Sequence, residues 1–287
     1  MSDNEIRVTA EQGWSAPVVG IMGGLGPLAG ATFLRVLTLL TPAESDQEQL
    51  DAVLLSHSTT PDRTARLTDP TAPDPAPVLL ADALRLQGIG AELIAVPCNS
   101  AHPFLRAVAG QVSVPMIDIV ETTATAAVEQ AAARAEGRPP RVGILATTGT
   151  RAAGIYADAV RALGGEPVDT SDDEQREVMR IIYDQVKAGL PTDLGALLAL
   201  VDAMVAKGSD VVVLGCTELS VAYDEHNLGR DPRLVDSVDA LARETLRRAG
   251  RTPKNPVVPG SRAAPSGRAL PPERRSKPPL RGDFTRQ

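Results

Sequence analysis

Two stretches constrain this chain more than any other feature: GAELIAVPCNSAH at 90–102 and GSDVVVLGCTELS at 208–220. Each runs from a glycine through an acidic residue and an apolar run to a cysteine, and these are the only two cysteines among 287 residues. At a fixed offset of 118, Gly90 matches Gly208, Glu92 matches Asp210 and Cys98 matches Cys216. The register persists downstream, where PMIDIV (115–120) lies opposite RLVDSV (233–238) and pairs Asp118 with Asp236. Upstream, Val19-Gly20-Ile21 returns as Val142-Gly143-Ile144 at an offset of 123, which a small insertion explains. Three matches in order indicate a duplicated unit, and its period is too long for a solenoid.

The unit is α/β. VVGIM (18–22), AVLLS (52–56), ELIAVP (92–97), RVGILA (141–146) and DVVVLG (210–215) are too short for helices and are bounded by Gly or Pro. They read as strands buried on both faces. Between them lie amphipathic or Ala-rich segments such as PVLLADALRLQG, ETTATAAVEQAAARAEG and DEQREVMRIIYDQVKAG. That alternation predicts parallel sheets flanked by helices. Two similar lobes are expected: 17–117 with about 234–250 forming one, and 118–233 the other. Aromatic residues make up only 2% of the chain, so the cores must be built from Val, Leu, Ile and Ala.

Composition excludes several classes of function. No apolar run is long enough for a membrane span. The polar N-terminus, MSDNEIRVTAEQGWSAP, lacks the basic start and apolar stretch of a signal peptide. A cytoplasmic protein with reduced thiols is expected. The segment 251–287 carries nine basic and two acidic side chains, leaving −14 on the rest of a chain whose net charge is −7. So acidic a body argues against nucleic acid as partner. The Pro/Arg-rich segment itself reads as a disordered, solvated tail.

In open α/β sheets, ligands bind at the C-terminal ends of the strands. Duplication therefore predicts a cleft to which each lobe contributes one thiol. Asn99, Ser100 and Thr217 follow the thiols and are good helix N-cap types. A thiol at a helix N-terminus gains thiolate character, and the free N–H groups there cradle a carboxylate. Two such thiols can exchange an α-proton, one removing it from one face while the other donates to the opposite face. Taken singly, each cysteine reads as small buried filler.

Other candidates are weaker. GIMGGLGP (20–27) does not fit the dinucleotide spacing, and Pro27 suits a first helical position, so this loop is expected to line a small-ligand cleft. ATTGT (146–150) could hold a carboxylate or cap a helix. Arg63, in TTPDRT, reads by itself as a loop salt-bridge partner, Lys187 as a solvated helix-end cation, and His102 as a plain helix histidine. His57, His102 and His226 show no zinc spacing, so no metal is expected. There is no G-x-S-x-G setting for a serine nucleophile.

Together, GIMGGLGPLAG, TPAESDQE, PDRT, PCNSAH, LATTGT, DEQREVMRIIYDQVKAG and GCTELS resemble the aspartate racemase branch of the cofactor-independent aspartate/glutamate racemase superfamily, from about Val18 to Ala249. The resemblance implies two lobes about a pseudo-twofold, a homodimer, no cofactor and an amino-acid substrate, foremost aspartate. It puts the proton-transferring thiols at Cys98 and Cys216. It puts substrate contacts at Arg63, Asn99, Ser100, Ala101 and Lys187, with His57, Thr148, Thr217 and Glu218 as candidates for supporting them from behind. Ser100 stands where Thr is common, and SHSTT (56–60) replaces an Asn-rich segment, which bears on substrate identity. Glutamate, another amino acid and an aspartyl dipeptide are the alternative substrates. A non-catalytic dicarboxylate-binding protein is the alternative class.

Overall fold

The computed structural model describes Trp14 and residues 17–254. The expected tail starts at 251, but Arg251 N–H bonds to Leu246 O and Lys254 N–H to Leu40 O, so its first four residues are held on the body. The rest of it, from 255 onward, and most of the N-terminal segment lie outside the described residues.

Two four-stranded parallel sheets form the framework. The first has the order β2-β1-β3-β4, from β1 (Val19–Gly23), β2 (Ala52–Ser56), β3 (Leu93–Ala95) and β4 (Met116–Ile117). The second has the order β6-β5-β7-β8, from β5 (Arg141–Leu145), β6 (Glu166–Val168), β7 (Val211–Leu214) and β8 (Leu234–Asp236). The strand orders are the same, so the sequence repeat is a topological repeat. All five expected strands form, within a few residues of their expected ends. β4, β6 and β8 carry two or three residues each and leave no hydrophobic period to read. Burial on both faces holds for β1 and β7 but not for β2, an edge strand that is only partly covered.

The repeated glycines have a local cause. α3 (Ala76–Gly88) and α9 (Leu194–Ala206) both end in a left-handed residue, Gly90 at φ 100° and Gly208 at φ 89°. Beyond it, Ala91 N–H returns to Leu86 O and Ser209 N–H to Met204 O, the six-to-one bond that closes a helix and turns the chain into the next strand. Asp118 and Asp236 match for a similar reason. Asp118 caps α5 (Ile119–Ala132) through Val120 and Glu121 N–H, and Asp236 caps α11 (Ser237–Arg248) through Asp239 N–H.

These two helices tie the lobes together. α5 leaves the first sheet and packs against β5 and β7, whereas α11 leaves the second and packs against β3 and α1 (Pro27–Leu40). β8 (Leu234–Asp236) belongs to the second sheet, and the chain leaves it at Asp236. The central core accordingly mixes strand residues of both sheets, such as Ile21 and Val213, with helix residues such as Phe33, Val120, Ala127 and Leu241. Each fully buried aliphatic side chain of this kind contributes roughly 1.5–3 kcal/mol.

Candidate active site

Both thiols lie at the C-terminal ends of central strands and line one cavity. Cys98 stands three residues after β3 and opens a 3₁₀ turn, Asn99–Ala101, that leads into α4 (His102–Val108). Cys216 stands two residues after β7 and is itself the N-cap of α10 (Thr217–Glu225). The capping positions are therefore the cysteines, and Asn99, Ser100 and Thr217 lie inside the turns that follow. Neither thiol accepts a capping hydrogen bond from its helix. With Cys98 5% and Cys216 6% exposed, both are buried in the cavity wall.

The thiols have different surroundings. Cys98 Sγ is 3.9 Å from Leu25 O and 3.7 Å from Ser100 Oγ. Cys216 Sγ donates to Glu218 Oε2 at 2.9 Å. Burial, reinforced by the Glu218 carboxylate, pushes the Cys216 thiol well above the ordinary thiol range. This reverses the expectation drawn from the helix N-terminus: desolvation and an adjacent carboxylate outweigh the α10 dipole.

Arg63 is the first residue of α2 (Arg63–Thr68) and is 8% exposed. No carboxylate pairs with it among the described residues, so the salt-bridge reading is corrected. Its Nη1 donates to Thr60 O (3.1 Å) and Pro61 O (2.9 Å), and its Nη2 to Leu25 O (2.5 Å). Its Nε–H is buried and unpartnered. A buried guanidinium with an unpartnered N–H, on a residue that lines the cavity, is suited to an anion.

Lys187 is exposed, as expected of a helix-end cation, but it is paired. It follows a π-helical stretch, Arg180–Val186, that continues α8 (Asp172–Met179), a bulge of the kind found at functional sites. Its Nζ lies 3.6 Å from Glu218 Oε1 and 4.5 Å from the centre of the Tyr183 ring. Burial works against its charge, but Glu218 and its other anionic neighbours outweigh this and hold its pKa above the ordinary lysine value.

The cavity collects Cys98, Asn99, Ser100, Arg63, Lys187, Cys216, Thr217 and Glu218 from the expected set. Three expected residues lie elsewhere. Ala101 is fully buried in the first lobe's core. His57 Nδ1 is 2.8 Å from Asp82 Oδ2, drawn aside by that buried carboxylate. Thr148 lines a neighbouring recess, because α6 (Thr148–Ala152) begins there and it is Thr147 whose hydroxyl caps the helix, accepting from Thr150 N–H at 3.2 Å. Thr147 and Thr150 reach the cavity instead, with Leu25, Asp62 and Thr64. The motif ATTGT located this segment, but helix phase decided which threonines face inward.

His102 is not a plain helix histidine. Its Nδ1 lies 3.1 Å from Cys98 O, and its Nε2 lies 3.0 Å from Ile119 N and 3.2 Å from Ile117 O, so both ring nitrogens are engaged by backbone. Burial holds its pKa below the ordinary histidine value. Among the described residues no group of three or more His, Cys, Asp or Glu side chains is arranged to hold a metal. None of their helices is long and apolar enough to cross a membrane.

A family model described as Asp/Glu/hydantoin racemase matches residues 22–245. Over 232 residues the chain is 24% identical to a Bacillus subtilis protein named as a broad specificity amino-acid racemase, covering 80% of this chain and 96% of that protein. Over 177 residues it is 31% identical to a glutamate racemase of Desulforudis audaxviator, covering 60% of this chain and 62% of the relative. Among solved structures, an aspartate racemase from Picrophilus torridus superposes with a TM-score of 0.68 at 27% identity, covering 83% of this chain and 96% of the other. An aspartate racemase homologue from Pyrococcus horikoshii shares the fold at a TM-score of 0.64 and 22% identity, covering 82% of this chain and 100% of the other.

Proposed function

This chain belongs to the Asp/Glu/hydantoin racemase family, and we propose that within it the protein interconverts the enantiomers of a dicarboxylic amino acid, aspartate foremost. It is an amino-acid racemase, an isomerase of a cofactor-independent family. The observation that carries the substrate reading is the buried Arg63, whose Nε–H has no protein partner, lining the cavity that holds both thiols.

In this mechanism Arg63 and the N–H groups opening α10 hold the α-carboxylate. Lys187 answers the distal carboxylate. One sulfur, as thiolate, removes the α-proton, and the electron pair of the broken C–H bond delocalises toward the held carboxylate. The cationic and N–H donors stabilise that charge where it develops. The other thiol then delivers its proton to the opposite face, which gives the mirror image and exchanges the protonation states of the sulfurs. Asn99, Ser100 and Thr217 border the reacting centre. The homodimer and the cytoplasmic setting expected from the sequence belong to the same reading.

A second substrate reading has an observation in its favour. Leu25, Arg63, Lys187 and Glu218 line not only the thiol cavity but also a larger, more open recess outside it. A larger amino acid or an aspartyl dipeptide could extend into it. Chiral chromatography of L-aspartate, L-glutamate, apolar amino acids and aspartyl dipeptides after incubation with the protein separates the cases. Aspartate should racemize fastest. A larger substrate racemized at least tenfold faster would replace aspartate, and ligand-induced stabilisation with no racemization in any case would favour the binding-protein class.

A further inference from the structure

The duplication makes the two halves of the site comparable residue by residue. At the offset that pairs Cys98 with Cys216, Ser100 pairs with Glu218. Each stands two residues beyond its thiol and faces it, Ser100 Oγ at 3.7 Å from Cys98 and Glu218 Oε2 at 2.9 Å from Cys216. A neutral hydroxyl on one side is thus a carboxylate on the other.

Glu218 is held firmly. It is 6% exposed, and its second oxygen lies 3.6 Å from Lys187 Nζ. Gly26 passes so close that a Cβ there would come within 2.8 Å of Oε1, so the chain opening α1 closes over the carboxylate. Glu218 and Lys187 line both the thiol cavity and the outer recess, whereas Cys216 lines only the cavity.

We infer that Glu218 is a positioning residue that breaks the equivalence of the two thiols, keeping the proton on Cys216 in the resting protein so that Cys98 starts as the base and Cys216 as the acid. In that direction, the Cys98 thiolate takes the α-proton and becomes a thiol, and the Cys216 S–H bond breaks as its proton forms the new C–H bond. Cys216 is left as a thiolate beside Glu218, with Lys187 offsetting the two negative charges. In the reverse direction this thiolate is the base, made stronger by the neighbouring carboxylate. The equilibrium constant between enantiomers is one, so kcat/KM must be equal in both directions. The asymmetry therefore appears in how kcat and KM are divided between the enantiomers.

The kinetic consequence rests on the racemase reading, but the protonation claim does not, and the test separates them. Thiolate absorbance near 240 nm is titrated in Cys98→Ser, where Cys216 is the remaining thiol, with Glu218 intact or as Glu218→Gln. The variant lacking both thiols supplies the tyrosine background. Lys187, Tyr183, Asp62, Arg63, Ser100 and Tyr156 face or surround this part of the site and are common to the compared proteins.

Removing a charge this close should lower the Cys216 midpoint by about one pH unit or more. Glu218→Ser, which installs the residue of the first repeat, should do the same and guards against a folding failure specific to Gln. In otherwise intact protein, Glu218→Gln should bring the KM values of the two enantiomers closer together. An unchanged Cys216 midpoint in both variants that retain native circular dichroism would overturn the inference. A shifted midpoint in a protein that racemizes nothing would leave it standing and remove the racemase reading instead.

Discussion

The Tyr156 hydroxyl, on α7 (Ile155–Ala162) of the second lobe, donates a 2.5 Å hydrogen bond to Asn99 Oδ1, on the residue that follows the first lobe's thiol. Asn99 Nδ2 in turn donates to Ser237 Oγ at 3.2 Å, at the start of α11. The Asn99 side chain is therefore a strut between lobes, and its position beside Cys98 depends on a residue 57 positions away. Tyr156→Phe leaves a buried acceptor without its donor, which should cost about 1–3 kcal/mol in urea unfolding. Racemization should slow several-fold as the Cys98 turn loosens. Unchanged stability and rate would show that the strut is dispensable.

Arg63→Lys keeps the charge but removes the planar fork that holds the carbonyls of Leu25, Thr60 and Pro61. Lysine is no substitute at a multidentate site. KM for the dicarboxylate should rise roughly tenfold or more, the scale of losing a charge-assisted hydrogen bond. A KM near that of the unaltered protein would remove Arg63 from carboxylate binding.

His102 is 2% exposed and is kept neutral mainly by burial. Its folded pKa lies below the unfolded value, so below about pH 6.5 the unfolded chain binds a proton that the folded chain refuses. Its contribution to stability is therefore present above that pH and is lost as pH falls. Urea unfolding between pH 5 and 8 should show this acid-side decline in the native sequence and a shallower one in His102→Gln. Parallel slopes would contradict the assignment.

Asp236 behaves in the opposite sense. Burial raises its pKa from 3.8 to about 7, and one of its oxygens is buried without a partner. Between these values the folded state holds a proton that the unfolded state has lost, so stability from this group falls as pH climbs from about 4 to about 7. Asp236→Asn retains an N-cap acceptor for Asp239 and removes the buried charge. It should unfold at higher urea than the native sequence at pH 8, by on the order of 2 kcal/mol, and show no gain at pH 4. A loss at pH 8 would mean that the charge has a partner after all.

Much of this was legible because the repeat carries its own constraints. Gly90 and Gly208 recur as left-handed helix stops, Asp118 and Asp236 as helix caps, and the cysteines as the turns between strand and helix. The burial of β1 and β7 follows from their unbroken apolar runs. What was not legible depends on the meeting of elements far apart in the chain. Tyr156 and Ser237 carry no local signal, since their roles arise only where α7 and α11 reach Asn99. His57 was a candidate by position alone, and Asp82, on a helix beginning 19 residues later, claims its ring. The Cys216 environment inverted its expectation because a helix terminus is visible in sequence, whereas the desolvation around it is not.

The most direct test of the two-thiol account is α-proton exchange of aspartate in D₂O under reducing conditions, followed by proton NMR and chiral chromatography. It is run on the native sequence and on Cys98→Ala and Cys216→Ala. The native protein should lose the α-proton signal as the opposite enantiomer accumulates, starting from either one. Each single variant should produce none of the opposite enantiomer, because one face has then lost its proton donor. A single variant that still interconverts both enantiomers at near the native rate would contradict the account.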